Sequence, residues 1–236
     1  MEDQQNQKMN DEVNEIIQSR FEFINRHYLS IRDAYHNTYE WSELDPLRHE
    51  ICICIMLGLC QAAITLTNHL LESLLKYSLI ILHGRKKKQK EEEIKGRAVT
   101  SIVEKYKEVI ERYGNANLDT TINCACTAGL ISKEQKKILH DFREKFRNAY
   151  SHSDKIKTFG KNTIPVSCVR LENEKFVQDE KSEPEISKLL IGQGLYQAMT
   201  AQNDAPKYFL YIDNLVREIR DKLFDPLDKD NHENKH

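Results

Sequence analysis

The sequence predicts an all-α fold: an antiparallel helical bundle with a long N-terminal helix and a small β-hairpin or irregular insertion around residues 160–178. Three observations carry that prediction. Glycine and proline are scarce, 8 and 5 in 236 residues, so few positions interrupt a helix. Apolar residues recur three and four apart over most of the chain, the spacing of one helix face. The stretches patterned this way open on capping or proline signals and close on glycine. One bundle over residues 11–224 is expected, with 1–10 and 225–236 lacking fixed structure.

From Val13 the apolar residues Ile16 or Ile17, Phe21, Ile24, Tyr28, Ile31 and Tyr35 form a narrow seam on one long helix. That seam either packs on the body of its own domain, or faces a partner or forms a dimer. The first reading is favoured, because the repeat covers fewer than four heptads. Asp45-Pro46 is a helix start, with the acid as cap and proline in the first turn. From there to Leu82 the chain is apolar on much of its helical circumference, marking a central helix, or two joined near Gly58, ended by Gly84. Glu72 and Lys76 stand four apart on it, a spacing that usually means a surface ion pair.

Arg85 to Lys88 followed by Glu91 to Glu93 reads as a charged connector, whose cations offer an alternative use as a local attraction for phosphate. Residues 98–113 carry a helical stripe from Val99 to Ile110, and Asn115 to Thr127 reads as a polar connector. Thr163 to Val177 suggests a hairpin, with Pro165 confining any strand to an edge. Helices resume over 184–201 and 206–224.

Charge and composition exclude several classes. The net charge of −2 gives no global pull toward nucleic acid, so any RNA contact has to be local. The polar, acidic start is unlike a secretion signal, and the run Ile51 to Leu66 is broken by Gly58 and Gln61. It is shorter than the about 20 apolar residues a spanning helix needs. A cytoplasmic protein without membrane contact is expected. Six cysteines include two C-x-C pairs, Cys52/Cys54 and Cys124/Cys126. Helical residues two apart diverge by about 200°, so Cys52 and Cys54 cannot share an ion, whereas Cys124 and Cys126 in a loop could. Reduced thiols in a core are the favoured reading, and no metal or cofactor is expected.

The chemistry concentrates in Ile131 to Asp154. Ser132 followed by Gln135 is a capping box, so a helix starts there. Ile138, Leu139, Phe142, Phe146, Ala149 and Tyr150 form its apolar stripe. Arg147 lies about 100° round from Phe146, at the stripe's margin, and Asn148 and His152 share a side. An arginine, an amide and a histidine at one helix end suit a phosphodiester.

Arg147-Asn148-x-x-x-His152 near the end of a late helix resembles the R-x4-6-H signature of the HEPN superfamily. Those proteins are helical bundles, many of them metal-independent ribonucleases of toxin–antitoxin, abortive-infection and CRISPR-linked defence systems. The resemblance implies that Arg147 is the family arginine, Asn148 its polar neighbour and His152 the family histidine. Glu72 and Lys76 resemble an E-x3-K/R element found in part of the superfamily, and with Tyr150 they are supporting candidates. The resemblance also implies a homodimer through the motif helix and an antitoxin or defence-system partner. Some toxin members carry a modified tyrosine two residues after the histidine. Here that position is Asp154, so that mode of control is not expected.

RNA brings its own nucleophile, the 2′-hydroxyl. Cleavage therefore requires a base, an acid and cations to meet the charge of the transition state. Histidine titrates near neutrality, at about 6.5, and arginine presents a rigid fork to two phosphate oxygens. One motif supplies one imidazole, and a two-fold dimer supplies the second. Arg143, Lys145 and Lys155 lie close enough in sequence to bind RNA beside the motif. Two other readings remain open: a non-catalytic interaction module, and nucleotide binding without a Gly-rich phosphate loop.

Overall fold

The computed structural model describes residues 2–94, 102–148, 163, 169–172, 175–178, 185–186 and 193–224. Helix α1, Glu2–His36, leads into α2, Asp45–Met56, and α3, Cys60–Ile94. Then come α4, Ile102–Gly114, α5, Leu118–Thr127, and α6, Lys133–Phe142, which passes into a π-helical turn over Arg143–Asn148. Strands β1, Val169–Glu172, and β2, Lys175–Gln178, pair antiparallel with Arg170 opposite Val177. Thr163 and Glu185 form an isolated bridge, and α7, Gln193–Phe224, completes the described chain. The fold is all-α, and no helix among the described residues is long and apolar enough to cross a membrane.

Helix α3 is the hub. It packs against α2, α4, α5, α7 and the π turn, while α7 also touches α1 and α2. Leu70, Leu71, Leu74, Leu75 and Leu79 of α3 meet Phe209, Ile212, Val216 and Ile219 of α7 in one buried cluster. Buried leucines over about half its circumference explain the weak amphipathic pattern of α3, which has neighbours on several sides.

The break between α2 and α3 falls at Gly58, whose φ of +74° belongs to the left-handed region. The amides of Gly58 and Leu59 donate back to Ile55 and Cys54, closing α2. A Cβ on Gly58 would stand 2.9 Å from the Phe23 ring, so α1 also needs the bare backbone. The corner between α1 and α2 is tied by Arg48. Its side chain is buried, with Nε 3.0 Å from Asp45 Oδ1 and one Nη donating to the carbonyls of Ala34 and Tyr35. Those are among the last carbonyls of α1, where a cation is favoured.

Several sequence expectations change here. Residues 2–10, expected to lack structure, begin α1, while 225–236 lie outside the described residues. Asp45 is not the cap of α2: it is the first helical residue and accepts instead from the amides of Tyr39 and Trp41. Gly84 does not end α3. A Cβ there would overlap Tyr106 of α4, so glycine permits a close approach inside the helix, which runs on through the expected charged connector. Arg85 donates to the carbonyl of Leu223 at the end of α7.

The expected connector before the motif contains α5, capped by Asn117 accepting from the Thr120 amide. Cys124 and Cys126 are thus helical and diverge as Cys52 and Cys54 do. Finally, 193–224 is one helix with Pro206 inside. The proline costs about 3 kcal/mol. Buried Ala205, Tyr208 and Phe209 around it supply packing that offsets the loss.

Candidate functional site

Ser132 and Gln135 make the capping box reciprocally, at 2.8 and 3.1 Å, which fixes where α6 begins. Two turns on, Phe142 and Phe146 turn inward. Phe142 meets Tyr208 and Tyr211 of α7 edge-on, with ring centres 4.9 and 5.1 Å apart. Phe146 stacks on Tyr208 at 4.4 Å. This aromatic packing seats the π turn on α7. A π turn spaces side chains differently from an α-helix and recurs at functional sites. With Phe146 buried inward, Arg147 emerges beside α3, half-buried.

There its Nε donates to Glu72 Oε1 at 3.2 Å. Only that edge of the guanidinium is engaged; both Nη groups stay uncommitted among the described residues. Glu72 therefore orients the fork without filling it. Beneath the pair, one turn earlier on α3, lies buried Asn68, whose Oδ1 accepts from the Tyr208 hydroxyl at 2.8 Å. Burial, reinforced by the Glu72 charge, holds that hydroxyl well above the ordinary tyrosine value, so it remains a neutral donor. Tyr208 thereby links the ring under Phe146 to the helix that carries Glu72.

The other candidates fare differently. Lys76 turns from Glu72 and donates to the Gly114 carbonyl at 3.0 Å, closing the end of α4. Arg143, expected on the RNA side, is paired with Asp119 and with Glu144. Lys145, also expected there, lies 2.8 Å from Asp204 and above the Phe146 ring. Each cation of the turn therefore has a carboxylate opposite it, so the positive charge expected to bind RNA beside the motif is balanced among the described residues. Asn148 is the last residue of the turn. Tyr150, His152 and Lys155 lie outside the described residues.

Asp119, Asp204, Asn68 and Tyr208 were not singled out by sequence reasoning. Asp119 also has His140 Nδ1 at 3.5 Å and accepts from Asn123 at 3.2 Å, so it gathers α5 and α6 around one carboxylate. The Asn117 cap was the one local signal that could have revealed its helix. Among the described residues no group of three His, Cys, Asp or Glu is placed to hold a metal ion. Chemically, the site offers one oriented, half-exposed guanidinium at the start of the segment that leads to His152. In comparison with known proteins, the chain matches no family model, no curated protein and no solved structure.

Proposed function

We propose that this chain is a HEPN-type, metal-independent endoribonuclease. One observation carries the reading: Arg147, the arginine of the R-x4-H phrase, is held through Nε by Glu72, and no other partner of its guanidinium stands among the described residues. Two residues that the resemblance nominates from separate motifs are thus neighbours, though they stand 75 residues apart.

In this reading Arg147 grips the scissile phosphate through two parallel N–H···O bonds, which strengthen as charge builds on the phosphorane-like transition state. His152 takes the proton of the 2′-hydroxyl, and that oxygen attacks the adjacent phosphorus. The 5′-oxygen leaves with a proton from a second imidazole, the His152 of a two-fold partner. The products are a 2′,3′-cyclic phosphate and a 5′-hydroxyl, and no metal takes part. Asn148 orients the imidazole or a phosphate oxygen. A defence or toxin–antitoxin setting rests on the resemblance alone.

The test is cleavage of mixed RNA in EDTA by the wild type, Arg147→Ala and His152→Ala. Loss of activity in both variants supports the proposal; equal activity in all three ends it. A second reading is favoured by the pairing of Arg143, Lys145 and Arg147 with carboxylates. Such a surface suits a non-catalytic interaction or nucleotide-binding module. Thermal stabilisation by ATP that Arg147→Ala abolishes, with no cleavage of RNA, would select it.

A further inference from the structure

Helix α1 overruns the body it packs on. At about 100° per residue, positions 13, 17, 21, 24, 28, 31 and 35 fall within an arc of about 80°. The C-terminal part of this stripe is covered: Ile31 is 1% exposed and Tyr35 packs against the core. The N-terminal part of the same stripe is bare, with Val13, Ile17 and Phe21 at 48, 60 and 58% exposure. The cover stops where Phe23 seats on Gly58, and the leucines beside that glycine, Leu57 and Leu59, are also 48 and 54% exposed. Exposed apolar residues thus stand both on the bare stripe of α1 and at the α2–α3 junction.

The charge of α1 is divided. Residues 2–15 carry five carboxylates and one lysine, whereas 20–32 carry three arginines and His27 against Glu22 alone. Two copies side by side in parallel would set the acidic halves against each other. Antiparallel, the acidic half of each lies along the basic half of the other.

We propose that the bare stripe is covered by a second copy of this chain, the two α1 helices crossing antiparallel about a two-fold axis near Ile17 and Phe21. Ile17 of one copy then meets Phe21 of the other. Val13 reaches the level of Asn25. An isologous contact of this kind closes at two copies and requires no further partner. It rests on α1 alone and holds without RNA; the motif-helix pairing of the proposed nuclease is a separate contact, made on the substrate.

The test uses the full chain. Light scattering after size exclusion at tens of micromolar is expected to give a dimer for the wild type. For Ile17→Glu/Phe21→Glu a monomer of unchanged helical circular dichroism is expected, with dimer dissociation raised at least tenfold. Under mild oxidation the double variant Val13→Cys/Asn25→Cys should cross-link between chains above the wild-type background, and Val13→Cys alone should not. A monomeric wild type, or a dimer indifferent to Ile17→Glu/Phe21→Glu, overturns the proposal. Cross-linking by Val13→Cys alone overturns the antiparallel arrangement. So does a wild type that associates only when another protein is supplied.

Discussion

Arg147 of the π turn and Glu72 of α3 form a hydrogen-bonded ion pair between two elements, Nε to Oε1 at 3.2 Å. Both side chains are about one-third exposed, at 36 and 30%, so water screens the pair and its weight in stability is small. Its importance is positional. Glu72→Gln is expected to cost about 0.5 kcal/mol in urea denaturation. Under the proposed function it lowers RNA cleavage about 10- to 100-fold, because the fork is no longer held. Glu72→Gln with full cleavage would show that the pair has no positioning role.

Tyr208→Phe removes the donor to Asn68 Oδ1 while leaving the ring stacked under Phe146. The buried amide oxygen then lacks that partner, at a cost of about 1–3 kcal/mol. Chemical denaturation of the variant checks this. A loss within error would mean that water replaces the hydroxyl.

Arg48→Met tests the corner that sets the direction of α1. It strips the Ala34 and Tyr35 carbonyls of their donor and leaves Asp45 without its cation. A loss of about 3 kcal/mol is expected, read as a lower urea midpoint with unchanged slope.

Cys52 makes a pH prediction. Burial pushes its thiol from 9.0 up to about 12; nearby Arg48 draws it down in part, and Asp213 adds to the rise. The folded chain thus holds the neutral thiol where the unfolded chain ionises. Its contribution to stability is complete below pH 9 and is lost as the pH rises from 9 to 12. Urea midpoints between pH 8 and about 10.5 should fall less steeply in Cys52→Ala than in the wild type. At pH 8 the same thiol should resist alkylation until the protein unfolds.

What the sequence revealed and what it hid divide along the range of the forces involved. The Ser132–Gln135 box and the Gly58 break are set within four residues, and both were legible. So was the inward stripe through Leu139, Phe142 and Phe146. Gly84 was misread because its reason is Tyr106, a residue on another helix. Helix α5 was missed because Leu118, Ile122 and Ala125 are diluted by threonines and cysteines. In the site, Arg147 and Glu72 could each be nominated, but not their contact. The carboxylates that answer Arg143 and Lys145 arrive from α5 and α7, and neither pairing has a local signature. The π turn likewise leaves no trace in a pattern read at α-helical spacing.

The proposed chemistry is tested most directly by mass spectrometry of the RNA ends formed by the wild-type protein in EDTA. Attack by the 2′-hydroxyl, assisted by Arg147 and His152, leaves a 2′,3′-cyclic phosphate on one fragment and a 5′-hydroxyl on the other. Fragments ending in a 3′-hydroxyl and a 5′-phosphate, or RNA left intact by a folded dimer, would contradict it.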